Sequence, residues 1–124
     1  MRKAEVHETP TLFALVHRAA EVCDPAGAEE GAAELLRRFE DRDEPIGDPA
    51  EAEQTIAEEK GAIDPQDEDP VATMIAAVAT YLAYRRDELD DDRANLLVLA
   101  ARAGFDGKPP EPVASWLAEQ GLEV

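Results

Sequence analysis

Between Pro70 and Tyr84 the chain runs 15 residues without a charge, and its bulky apolar positions recur at helical spacing. Val71, Met74, Ile75, Val78 and Leu82 fall on one stripe. Ala72, Ala76, Ala79 and Ala83 form a second stripe of small residues. A helix that is apolar nearly all round is a buried helix. The pattern predicts a central helix over about 70–86, with the alanine stripe letting a neighbour approach closely.

Weaker amphipathic runs flank it. Leu12, Phe13, Val16, Ala19, Ala20 and Cys23 predict a helix over about 10–23, with Thr9 as its cap. Leu35, Leu36 and Phe39 anchor a helix over about 25–41, whose start Gly27 and Gly31 weaken. A helix over about 49–60 opens at Asp48, with Glu51 three residues on as in a capping box, and Ile56 is its only bulky apolar residue. Leu96, Leu97, Leu99, Ala100 and Ala103 mark about 92–103, with Gly104 placed to end it in a left-handed cap. Val113, Trp116 and Leu117 mark about 112–120, ended by Gly121. No strand pattern of useful length appears. The expected fold is all-α: residues 1–124 as one domain, a bundle of five to six short helices around a central apolar helix at about 70–86.

Asp-Pro pairs punctuate the chain at 24–25, 48–49, 64–65 and 69–70. Asp is a favoured N-cap and Pro fits the first helical turn, so most of these pairs read as helix starts. "DPAGAE" and "DPAEAE", 24 residues apart, match at five of six positions. Two helices starting by the same physics explain that match without a repeat.

Composition adds a surface to this interior. Alanine occurs 23 times and aromatic residues make up 5%, so small aliphatic groups must fill the core. The net charge is −17, from 29 acids against 9 Arg and 3 Lys. That balance repels phosphate backbones and anionic lipid, which disfavours nucleic acid as a partner. Many acids, few lysines and much alanine also give a halophile-like surface, whose self-repulsion molar salt would screen. Residues 24–69 hold 17 acids and 4 bases. Within 40–69 the only large apolar residues are Ile46, Ile56 and Ile63, so this segment is expected to be acidic, peripheral and loosely packed.

The single Cys23 excludes an internal disulfide. The first ten residues have charge without the apolar core of a signal peptide, and no run reaches the ~20 apolar residues of a membrane helix. A cytoplasmic, soluble protein is expected.

Chemistry-bearing motifs are sparse. "DELDDDR", from residue 87, packs four Asp into six positions. An EF-hand frame started at Asp87 puts Asp92 where a glycine is required; started at Asp90, it puts Ala101 where an acid is required. With Arg85 and Arg86 closing one helix and Asp90, Asp91 and Asp92 opening the next, the stretch reads as a helix junction matched to the helix dipoles. His17 and Glu21 stand four apart on one helix and read as a surface pair, and Cys23 as a small buried hydrophobe. No nucleophile elbow, phosphate-cradling glycine loop or HExxH motif occurs. No catalytic, cofactor-binding or metal-ligating residue is assigned, and no cofactor or small-molecule ligand is expected.

The C-terminal "ARAGFDGKPPEPVASWLAEQGLEV" resembles the helix-turn-helix part of a winged-helix domain. It departs from that pattern at Pro109 and Pro110, which fall where the second helix should begin, and "EPVASWLAEQ" contains no Lys or Arg to reach phosphates or bases. The expected function is therefore a small acidic protein-interaction or accessory module without catalysis of its own. Its partner would be another protein or a second copy of itself. The alternative is a helix-turn-helix-like transcriptional regulator using helices 92–103 and 112–120.

Overall fold

The described residues form six α-helices: α1 (Leu12–Cys23), α2 (Glu30–Phe39), α3 (Pro49–Ile63), α4 (Pro70–Tyr84), α5 (Arg93–Phe105) and α6 (Glu111–Glu119). A 3-10 turn, Arg86–Glu88, separates α4 from α5. The computed structural model describes residues 10–122 apart from 43, 44, 67 and 90. Among the described residues there is no strand, only one isolated bridge between Thr11 and Pro45. Among these residues no helix is long and apolar enough to cross a membrane.

The chain's polar side chains set where helices begin. Thr11 caps α1 by accepting from Ala14 N at 3.0 Å; the expected cap, Thr9, lies outside the described residues. Asp48 accepts from Ala50 N at 2.9 Å rather than from the N–H of Glu51. Asp69 accepts from Val71 N and Ala72 N, and Asp92 from Asn95 N. Pro49 and Pro70 occupy first-turn positions, where a missing N–H costs nothing.

The other two Asp-Pro pairs do something else. Asp24 was expected to open a helix; instead Asp24 and Asp64 each close one. Asp24 N donates to Ala20 O and Asp64 N to Lys60 O. Their backbones match, with φ −140°, ψ 68° and φ −145°, ψ 67°. Each carboxylate then accepts from two successive N–H groups just before the next helix: Ala28 and Glu29 for Asp24, Glu68 and Asp69 for Asp64, all at 3.0 Å. α2 consequently begins at Glu30, five residues later than the sequence reading placed it. The side chain satisfies donors that a helix would otherwise have used.

This shared connector belongs to two helical hairpins of one design, α1–α2 and α3–α4, offset by 40 residues. Leu12, Val16, Ala20, Ala32, Leu35 and Phe39 are buried in the first. Their counterparts Ala52, Ile56, Lys60, Ala72, Ile75 and Ala79 are buried in the second. The true correspondence thus pairs residue 24 with 64, not 24 with 48.

α4 is central. It packs against α1, α2, α3, α5 and α6. Val71, Met74, Ile75, Val78 and Leu82 are buried as the pattern predicted. Ala72, Ala79 and Ala83 are buried too, but Ala76 is half-buried. The 40–69 segment was expected to pack loosely; in it, α3 runs three residues further than expected and sets Ile56 into the core against α4.

The last two helix ends divide the glycines differently from expectation. Gly104 sits inside α5, which continues to Phe105 and is closed by Asp106 in the left-handed region, φ 54°. α6 ends as predicted at Gly121, φ 79°, in a Schellman motif: Leu122 N donates to Leu117 O and Gly121 N to Ala118 O.

Candidate functional site

An open groove of about 770 Å³ runs along α4 between α3 and the end of α5. Its floor is the face of α4 that the core leaves over. Thr73, Ala76, Ala77, Thr80 and Tyr84 follow each other at i, i+3, i+4, i+7 and i+11 and line one stripe. None carries a bulky aliphatic side chain. α3 supplies the first wall through Glu53, Ala57, Lys60 and Gly61; Ala103, Gly104 and Phe105 of α5 supply the second. At Gly104 the second wall comes close, since a Cβ there would stand 3.4 Å from that of Ala77.

Polar groups mark both ends. At one, the Tyr84 hydroxyl donates to Glu53 Oε1 at 2.8 Å, tying the end of α4 to the start of α3. That bond raises the Tyr84 hydroxyl above its ordinary pKa, with slight burial and the charges of Glu53 and Asp48 adding to it. Tyr84 is the one large hydrophobic side chain among the described residues that is mostly exposed, at 51%. Beside it Glu88 accepts from the Tyr81 hydroxyl at 2.5 Å and pairs with Arg85 at 2.6 Å.

At the other end Lys60 pairs with Asp64 at 3.3 Å, both side chains largely buried. Burial pulls the Asp64 carboxyl upward. The N–H groups of Asp69 and Glu68 and the Lys60 ammonium outweigh it and hold the carboxyl below its ordinary value. The groove thus offers an apolar trough with hydroxyl and ionic groups at its rim, suited to holding a ligand by shape and burial.

The equivalent hollow in the first hairpin is smaller, about 340 Å³. It is lined by His17, Ala20, Glu21, Asp24, Pro25, Ala33 and Leu36, the counterparts of Ala57, Lys60, Gly61, Asp64, Pro65, Thr73 and Ala76 in the groove. The same architecture is narrowed by Leu36, with His17 at its rim, in one hairpin and opened by Ala57 and Ala76 in the other.

The residues singled out in the sequence lie elsewhere. His17 is exposed, with its ring 5.6 Å from that of Phe13, while Glu21 pairs with Arg18 at 3.7 Å instead of with His17. Cys23 is buried, and that burial pushes its thiol far above the ordinary range, with nearby Arg93 offsetting part of the effect. In the Asp-rich junction Asp92 caps α5, and Asp91 accepts from Asp92 N and from the Asn95 side chain; Asp90 lies outside the described residues. The main-chain carbonyls of Leu89 and Asp91 are held by Arg18 of α1, at 2.9 and 2.8 Å. Arg86 turns away to Gly47 O. Among the described residues, no group of three or more His, Cys, Asp and Glu side chains is gathered to hold a metal ion.

Sequence reading missed the groove because it took the small residues at 72, 76, 79 and 83 as one stripe. The available signal was the polar spacing within α4: Thr73, Thr80 and Tyr84 share a face with Ala76 and Ala77, marking it as the side turned to water. No protein-family model, characterised protein or solved structure matches the chain, so the groove is read from its own chemistry alone.

Proposed function

We propose that the chain is a non-catalytic protein-interaction module, an accessory or regulatory protein that docks a partner in the groove on α4. One observation carries this reading. The second hairpin keeps the design of the first but replaces the bulky Leu36 by Ala76, leaving an apolar trough open on the central helix. An apolar surface left open on so small a domain is the usual mark of a binding face. A cytoplasmic setting of high salt completes the proposal, supported by the net charge of −17.

DNA reading by α5 and α6 has less behind it. α6 packs on α4, five residues separate the two helices, and α6 carries no base. Phosphate contacts would lack their usual donors.

The test is affinity capture from a lysate of the source cells, comparing the wild type with Ala76→Leu, which restores the filling found in the first hairpin. A protein held by the wild type and lost from Ala76→Leu, at unchanged melting temperature, is the expected result. Equal capture by both, or sequence-specific DNA binding in a salt titration, sinks the reading.

A further inference from the structure

Resting on that reading, we infer that the occupant of the groove is a basic amphipathic helix of another protein, about three turns long, with bulky apolar side chains on one face. The length follows from the floor. Thr73 to Tyr84 covers 12 residues of α4, roughly 16 Å end to end at 1.5 Å per step, or three turns. The secondary structure follows from the backbone: α4 satisfies its own N–H and C=O groups, and no strand edge exists among the described residues for an extended peptide to join. A floor of Ala76, Ala77 and Thr80 lacks volume, so the partner must bring it, as Leu, Met or Phe at i, i+3 or i+4, and i+7.

The charge follows from the walls. The cations at the rim are already matched inside the chain, Lys60 by Asp64 and Arg85 by Glu88. Glu53 takes a neutral hydroxyl from Tyr84 and keeps its full charge at the groove mouth. Of the four Glu on α3, the wall on that side, Glu53 lines the groove and Glu59 is already paired with Arg38 and Arg42, so the mouth carries the charge of Glu53 on a chain of net charge −17. A second copy of the chain fits poorly for two reasons. It would bring a further −17, and each of its described helices already has a face committed to its own core.

The experiment uses the full chain and two designed 14-residue helical peptides with the same Leu pattern, one flanked by Lys and Arg, the other by Glu. Binding is followed by fluorescence anisotropy at 0.1 M and 1 M KCl. The expected result is micromolar binding of the basic peptide, at least tenfold tighter than the acidic one. Affinity should fall several-fold at 1 M KCl and with Glu53→Gln, and should be lost with Ala76→Leu and Ala57→His. Equal binding of both peptides overturns the charge assignment. Binding of neither overturns the helix assignment, and if lysate capture still depends on Ala76, the interaction reading survives it. Sedimentation that shows a dimer broken by Ala76→Leu replaces the foreign helix with a second copy.

Discussion

Gly31, the second residue of α2, lies with its backbone against the carboxylate of Asp69, the cap of α4. A Cβ built at residue 31 would land on Asp69 Oδ2, well inside van der Waals contact. The carboxylate has little room to retreat, because it accepts from Val71 N at 3.0 Å and Ala72 N at 3.2 Å. The start of α2 and the start of α4 therefore meet only because residue 31 has no side chain.

Two glycine substitutions in helices should consequently have opposite signs. Gly61→Ala in α3 meets nothing within 4 Å and should stabilise by about 0.4–1 kcal/mol through the unfolded chain. Gly31→Ala gains the same helix propensity but overpacks the cap, and should destabilise by about 1–3 kcal/mol. Urea unfolding of both variants checks the pair. A stabilised Gly31→Ala would mean that the two helix starts slide apart at no cost.

On α4 the alanines separate into two groups. Ala79 is completely buried, so Ala79→Glu places a carboxylate in the core without a partner and should cost more than about 4 kcal/mol, enough to unfold so small a domain. Ala76 faces the groove, and Ala76→Glu should leave a folded protein. The sequence pattern alone would have placed Ala76 with the worst sites. Circular dichroism of the two variants distinguishes the assignments.

That contrast shows which features of the fold were legible in sequence. Val71, Met74, Ile75, Val78 and Leu82 repeat at a helical period, so the central helix and its buried stripe could be read directly. Asp48, Asp69 and Asp92 as caps were legible because capping is a local interaction. Asp24 and Asp64 were not, because Asp-Pro suits either the start of a helix or a turn that ends one, and the donors that decide it lie four and five residues ahead. The groove was hidden for a related reason. Alanine fits a core and a trough equally well, and only the positions of α3 and α5 decide which alanines face which.

Stability should rise from low to molar KCl. The fold gathers a net charge of −17 on one small surface, and the described ion pairs are mostly exposed or partly exposed, so they add little. Screening length falls from about 10 Å at 0.1 M to about 3 Å at 1 M, which removes most of the self-repulsion. Thermal melts across that range should show an increasing midpoint. A flat or falling midpoint would remove the support for a high-salt setting.

The Asp-rich junction should be indifferent to calcium and sensitive to Arg18. Asp92→Ala removes the α5 cap and should cost about 1 kcal/mol, while Asp92→Asn keeps a capping oxygen and should cost less. Arg18→Met breaks two charge-assisted bonds to the carbonyls of Leu89 and Asp91 and should cost about 1.5–3 kcal/mol. Calcium against magnesium at matched ionic strength should leave the melting point of the wild type unchanged. A calcium-selective rise that Asp92→Asn abolishes would turn the junction into a binding site.

Asp64 gives the fold a dependence on acid that can be assigned to one carboxyl. Burial favours its neutral form, but the N–H groups of Asp69 and Glu68 and the ammonium of Lys60 favour the carboxylate more, so its folded pKa lies below that of the unfolded chain. The unfolded state then binds a proton more readily than the folded one. The stability Asp64 contributes is complete above the ordinary carboxyl value of about 3.9 and is lost as pH falls through the lower, folded value. Asp64→Asn removes that titration. It also turns an amide group toward N–H donors that need an acceptor, so at neutral pH the variant should be the less stable protein. Below pH 4 the wild type should fall toward it, and the difference between them should shrink as pH drops. Asp24→Asn serves as the comparison, since Asp24 sits in the same connector without a lysine pair. Urea midpoints from pH 7 to pH 2.5 measure all three. A wild-type advantage that stays constant over that range would show that the Lys60–Asp64 end of the groove is held by packing rather than by charge.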